Sequence, residues 1–292
     1  MPPRVAGCFF RNFQMPELPE VETMRRGIGP VVGCRIVALH TPRNSLKPIR
    51  LAPRLGAFRA RLLGQVVTEI GRLGKRVLVH TAGGETMVFE PRMTGLVLLA
   101  DPPDGAHVRL ELQLSGGDVS RLLYWDRRGL GSVVLLRTDE LLQHFPPDRV
   151  GPDALTISAR DLQTRLGTSR RAIKVALMDQ RALAGVGNLY ASEILHFAKV
   201  SPAQMCHRLD TADWRRVHRS LRQVLRAAIR YEGSTLNDGT YRNALNQQGS
   251  YQAHHLVYAR AGAECLTCGS GRIVRMVQAQ RSTFYCPVCQ PR

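Results

Sequence analysis

The hydrophobic pattern of this 292-residue chain changes period part-way along, and that change dictates two kinds of layer. From about residue 35 to 137 apolar and polar residues alternate in short runs, most clearly Val108-Arg-Leu-Glu-Leu-Gln-Leu114. Lys75–His80, Thr86–Glu90 and Val119–Trp125 are its neighbours, with Gly/Pro/Asp clusters between. Alternation with period two marks half-buried strands, so this stretch predicts an antiparallel sandwich or barrel. Helical spacing then takes over in Asp161–Leu166, Arg171–Met178, Asn188–Phe197 and Thr211–Glu232, the last with apolar residues at 217, 221, 224, 225, 228 and 229. The segment HFPPDRVGPDAL (144–155) reads as the linker. The pattern is that of an α+β protein.

At 44% hydrophobic residues the chain can bury real cores. No run approaches the roughly 18 apolar residues of a membrane span, and MPPRVAGCFFRNFQ lacks the apolar centre of a signal peptide, so a cytoplasmic protein with no membrane partner is expected. The formal charge of +18 calls for a polyanionic partner such as nucleic acid. Charge is uneven: +2 for residues 1–14, +5 for 15–145, +3 for 146–206 and +8 for 207–292. Lys47, Lys75, Lys174 and Lys199 are the only lysines; every other basic residue is arginine. Arginine clamps phosphate as well as lysine does but is no tunable amine, so a lysine kept beside a Gly/Arg loop is a candidate functional residue. A coding bias toward arginine is the simpler explanation.

Cys265-x2-Cys268 and Cys286-x2-Cys289, 17 residues apart, have the spacing of a four-cysteine zinc ribbon. Four thiolates leave no open coordination position, so one structural zinc ion is expected. Its task would be to hold a hairpin of Arg272–Val277 and Ser282–Cys286, whose tip carries Arg281. Two disulfides are the alternative. Upstream, Ser169-Arg-Arg-Ala-Ile-Lys174 leads to Gly185-Val-Gly187-Asn188, a glycine-rich turn opening a helix. Its N–H groups could seat a phosphate, with Asn188 as a further donor; a plain helix–helix turn capped by Asn188 is the simpler reading. The segment Met15-Pro-Glu-Leu-Pro-Glu-Val-Glu-Thr-Met-Arg-Arg-Gly27 begins a helix, with Pro16 in its first turn and Glu17, Glu20 and Glu22 toward its positive end.

Taken together, PELPEVE, the Gly74-Lys75 turn, RMTG (92–95), DRRGLG (126–131), LMDQRALAGVGNLYASE and QRSTFYCPVCQ resemble the formamidopyrimidine-DNA glycosylase / endonuclease VIII family of bifunctional DNA glycosylases over residues 15–292, and the formamidopyrimidine branch more than the other. The resemblance implies 15–145 as a catalytic β-sandwich domain preceded by a helix. It implies 146–260 as a helical domain with a helix-two-turn-helix, and 261–292 as the zinc finger. It implies a base-excision enzyme that flips and excises oxidised purines from duplex DNA and cleaves the strand at the abasic site by β,δ-elimination. The nucleophile would be the N-terminal secondary amine of Pro16, because its imine with the sugar is necessarily cationic and acidifies the C2′ proton. Glu17 would exchange protons with the sugar or leaving groups, supported by Glu20, and Lys75 would hold phosphate and assist β-elimination. Arg281 would grip the flanking phosphates and assist δ-elimination, while Asn188 binds phosphate. Met93 and Leu130 would fill the vacated stack, Arg128 would face the orphan cytosine and His107 would contact DNA. A monomer is expected. Without the resemblance, Met93 and Leu130 would be taken for core residues and His107 for a solvated loop histidine.

The chain departs from the family's pattern in places. The usual aromatic wedge is Leu130 and the arginine before it is Gly129, which predicts a weaker wedge. Ser169 replaces a lysine, with Arg170 and Arg171 available to compensate. NDGTYRNALNQQGSYQ (237–252) matches the lesion-recognition loop poorly. Residues 1–14 are expected to be a mis-assigned extension, with translation starting at Met15, because an internal Pro16 has no nucleophilic lone pair. Two other readings compete: oxidised-pyrimidine specificity of the endonuclease VIII kind, and a non-catalytic binder of damaged DNA.

Overall fold

The computed structural model describes residues 16–42, 46–236 and 239–291; the 1–14 extension and the tip of the 237–252 loop at 237–238 lie outside the described residues. Helix α1 (Leu18–Gly27) leads into β1 (Arg35–His40), β2 (Arg50–Ala52), α2 (Leu55–Leu62), β3 (Val67–Leu73), β4 (Arg76–Thr81), β5 (Glu85–Glu90), β6 (Gly95–Leu98), β7 (Val108–Ser115), β8 (Arg121–Asp126) and β9 (Ser132–Arg137). Helices α3 (Leu141–His144), α4 (Ala159–Leu166), α5 (Ile173–Leu177), α6 (Asn188–Phe197) and α7 (Thr211–Arg230) follow, then β10 (Val274–Gln278) and β11 (Arg281–Tyr285).

Two sheets, β1-β7-β8-β6 and β2-β9-β5-β4-β3, face each other across one core that includes Ile36, Leu110, Leu112 and Tyr124 from the first and Val77, Val79, Met87 and Phe89 from the second. Pairing is antiparallel except for the short parallel match of β2 to β9. The alternation in Val108–Leu114 does what it predicts, burying Leu110, Leu112 and Leu114 while Gln113 faces solvent. Helix α2 falls inside the stretch read as strands. Its apolar residues Leu55, Phe58 and Leu62 recur at helical spacing, and Phe58 and Leu62 are buried in the sandwich core.

A second core gathers the helical half around α6 and α7, with Trp214, Val217, Leu221, Leu225 and Tyr190 buried, and extends to Phe284 and Cys286 of the ribbon. Helix α1 belongs to both: Leu18 packs into the helical core, and Val21 and Met24 into the sandwich. One short helix therefore spans the junction, and the residues just before it lie where the two halves meet.

Candidate active site and zinc finger

Pro16 precedes the helix rather than occupying its first turn; Glu17 is the N-cap and Leu18 the first helical residue. Pro16 lines a narrow pocket with Glu20, Met93, Thr94, Ser234 and Tyr241. Glu17 is 2% exposed, and its carboxylate reaches beyond its own helix. It reaches α6, accepting the N–H of Gly187 at 2.6 Å and of Leu189 at 2.9 Å, while Leu18 N–H donates to Gly185 O at 3.0 Å. The glycine-rich turn read as a phosphate seat is thus an anion seat already filled from within, since a helix N-terminus stabilises any carboxylate placed on it. Glycine at 187 follows from this contact: a Cβ there would lie 2.3 Å from Glu17 Cδ.

Glu20 is fully buried. Its carboxylate accepts the Glu17 N–H (2.9 Å), the Tyr190 hydroxyl (2.6 Å) and the Ser234 N–H (2.9 Å). Burial, then the charge of Glu17, pushes its pKa up to about 7. Burial likewise raises Glu17 against the opposing pull of Lys75 and the amide bonds. Glu22, the third acid of the motif, is spent differently: burial alone would raise it, but Arg25, Arg26 and Arg72 hold it near 2.

Lys75 sits in the two-residue turn between Leu73 and Arg76, which pair across β3 and β4. Gly74 takes φ +57°, and a Cβ on it would approach Ala184 Cβ at 3.2 Å, so the turn is docked on the segment leading into the Glu17 seat. Arg72 pins it, donating to Gly74 O (3.0 Å), Glu22 (3.0 Å) and Asp153 (2.6 Å). Burial lowers the pKa of Lys75; Glu17 and Glu20 pull it back up, while Arg281 and Arg76 lower it further. Pro16, Glu17, Glu20 and Lys75 are therefore gathered at one place, with Arg281 near enough to act on the lysine.

Sequence reasoning passed over Lys174 and Tyr190. Lys174 is fully buried, donates to Asn188 Oδ1 at 2.5 Å, and is lowered to about 8 by burial and then by Arg281. Asn188 in turn donates to Ser282 O at 3.0 Å. The scarcity of lysine was the signal that could have found Lys174; nothing local marked Tyr190.

The DNA-contact candidates occupy separate loops. Arg128 Nη1 lies 3.1 Å from Met93 Sδ, and buried Asp126 joins their loops, accepting Arg128 N–H (3.1 Å), Gly131 N–H (2.7 Å) and the Thr94 hydroxyl. Leu130 projects from the same loop, 45% exposed. His107 is held by Asp104 at 2.6 Å, edge-on to Trp125. Arg170 is exposed, and Arg171 pairs with Asp179 at 2.8 Å.

The four Sγ atoms of Cys265, Cys268, Cys286 and Cys289 lie within 4.8 Å of one another, and both the 265–289 and 268–286 pairs are 3.8 Å apart. A thiolate tetrahedron with arms of about 2.3 Å has edges of about 3.8 Å, so the set fits zinc and not two disulfides. β10 and β11 pair through Gln278 and Arg281, and the turn residues Ala279 and Gln280 both take positive φ (46° and 60°). Non-glycine residues there cost about 1 kcal/mol or more each, so the tip that presents Arg281 is held by its surroundings; Gln278 Nε2 donates to Pro202 O at 3.1 Å.

Three family descriptions match successive parts of the chain. They are the formamidopyrimidine-DNA glycosylase N-terminal domain at residues 15–133, the formamidopyrimidine-DNA glycosylase H2TH domain at 150–240 and the zinc finger found in FPG and IleRS at 262–292. The formamidopyrimidine-DNA glycosylase of Chloroflexus aurantiacus is 37% identical over 279 residues, covering 94% of this chain and 98% of its own. The crystal structure of MutM (Fpg) from Thermus thermophilus is 36% identical with a TM-score of 0.81, over 94% of this chain and 98% of that one. A Lactococcus lactis Fpg mutant crystallised with Fapy-dG containing DNA is 30% identical with a TM-score of 0.84, over 95% and 100%. Sandwich, helix-two-turn-helix and zinc finger together define a DNA-repair glycosylase. The chain belongs to the formamidopyrimidine-DNA glycosylase family.

Two outcomes follow from the carboxylates. Gly187→Ala should leave circular dichroism and zinc content unchanged while displacing Glu17, cutting DNA glycosylase turnover on the order of 100-fold; wild-type turnover would contradict the seat. Glu20 is raised from 4.5 to about 7 on folding, so its contribution to stability is complete below pH 4.5 and is lost as pH rises through 7. Urea titrations of Glu20→Gln should show a flatter pH–stability curve across that window, and an unchanged slope would refute the burial argument.

Proposed function

We propose that the protein is a bifunctional glycosylase and abasic-site lyase that excises oxidised purines, formamidopyrimidines and 8-oxoguanine, from duplex DNA, acting as a cytoplasmic monomer with one structural zinc ion. The observation that carries this reading is the convergence of Pro16, Glu17, Glu20 and Lys75 at the junction of the two halves. The reading requires Pro16 to be the N-terminal residue, with a free secondary amine.

In this mechanism the damaged nucleotide leaves the stack, Met93 and Leu130 fill the gap and Arg128 holds the orphan base. The Pro16 nitrogen attacks C1′, the glycosidic bond breaks, and the base departs with its electron pair and a proton. Glu17 follows the nucleophile directly, and burial raises its pKa against the pull of Lys75, so its carboxyl can exchange a proton with the sugar ring oxygen as the ring opens to the iminium. The iminium makes the C2′ proton removable. Its loss expels the 3′ phosphate, a second elimination expels the 5′ phosphate, and water releases the sugar fragment from Pro16. Lys75, its pKa lowered by burial, and Arg281 steady the phosphates through these steps. The four thiolates would hold zinc purely as a brace for the hairpin, because the set leaves no open position.

Borohydride trapping tests this. The protein beginning at Pro16 should form a covalent adduct with 8-oxoguanine:C and abasic duplexes, Pro16→Gly should form none, and thymine glycol:A should react more slowly. Absence of any adduct would make the protein a binder of damaged DNA, and preference for thymine glycol would move it to pyrimidine lesions.

A further inference from the structure

The C-terminal excess of positive charge is not used up by the site just described. Helix α7 carries Arg215, Arg219, Arg222 and Arg226 at spacings of four, three and four, so all four lie on one face. That face is about 125° round the helix from the stripe of Trp214, Val217, Leu221 and Leu225 that packs into the core. It borders the start of α4 at Ala159, with His218 in the same groove, and shares no lining residue with the Pro16 pocket. Among the described residues none of the four arginines has a carboxylate partner. The acids nearest in sequence to the groove are committed elsewhere, Asp213 to Arg216 and Asp161 to the Ser158 cap. Arg222 Nε is buried without an acceptor.

Like charges three and four residues apart repel and weaken a helix. A row of four with no intervening acid leaves that repulsion uncompensated within the protein, and a polyanion laid along it would relieve it. From Arg215 to Arg226 the row spans about 16 Å, the axial length of about five phosphates in one strand of duplex DNA. Planar guanidinium forks match phosphate oxygens, whereas reading bases would call for a mixture of donors and acceptors. We infer that the arginine row of α7 is a second DNA-binding surface, which grips the phosphodiester backbone of undamaged duplex outside the cleft. It lets one molecule hold two stretches of DNA, one engaged at the active site and one alongside.

The test uses the full chain with its cleft saturated by a duplex carrying an uncleavable abasic analogue, to which a labelled undamaged duplex is added. Fluorescence anisotropy should show a second binding event that weakens steeply with salt. The triple substitution Arg219→Gln, Arg222→Gln, Arg226→Gln should weaken that event at least tenfold and lower its log–log salt slope by about 3. Lysine at the same three positions should retain most of it, and borohydride trapping at the cleft should be unchanged in both variants. The inference is overturned if the loaded protein takes up no second duplex, or if the glutamine variant binds it as tightly as the wild type. It is equally overturned if trapping falls together with the second event, which would make the row part of the cleft. Binding of polyglutamate or anionic vesicles in place of duplex would also overturn it, assigning the row to an acidic protein or a membrane. Because trapping is read separately, failure of the active-site assignment is distinguishable from failure of this one.

Discussion

The carboxylate of Glu17 on the first N–H groups of α6 is the contact on which the rest of the structure turns. It joins residues 170 and 172 positions apart in the chain, and it does so at the one place where both cores meet through α1. Removing it would leave two buried amides unsatisfied, at about 1–3 kcal/mol each. More important, it fixes the direction in which the chain enters α1, and hence where Pro16 stands. The same device does two jobs: the helix dipole stabilises a buried anion, and the anion positions the residue before the helix.

Around that contact α6 works as the central post of the helical half. Its N-terminus takes Glu17, and Tyr190 in its first turn donates to Glu20. Glu193 accepts the N–H groups of Leu256, Val257 and Tyr258 on the approach to the ribbon. His196 meets Gln290 and Thr267 beside the cysteine knuckles, and Asn188 bonds Ser282 next to Arg281. A single ten-residue helix thus sets the spatial relation between the carboxylates, the lysines and the finger hairpin. On the proposed reading the finger would act as a mechanical brace, since four thiolates leave a zinc ion no open position.

How much of this can be read from the chain depends on the range of the interaction. The strand alternation around Val108–Leu114, the amphipathic 211–230 helix and the paired CxxC knuckles are local patterns, and the structure forms them with ends shifted by a residue or two. Helix α2 is hidden because its eight residues carry only a short apolar repeat amid strand-like runs. The Gly185–Asn188 turn is legible as an anion seat, but its occupant lies at the other end of the sequence, and no spacing rule reaches that far. Lys174 is visible only as a rare residue type. Its burial against Asn188, and the opposing field of Arg281, exist only once β11 packs against α6. Ionisable groups in this site take their properties from partners that folding brings together.

Those partners make the site a cluster of acids and amines whose ordinary charges are all disfavoured by burial, which would suit groups passing protons to and from the covalent intermediate proposed above. Mass spectrometry of the borohydride-reduced complex with an abasic duplex locates the bond that forms. The account predicts a sugar fragment on the nitrogen of Pro16 as the N-terminal residue of the adducted peptide; a fragment on Lys75 or Lys174 instead would contradict it.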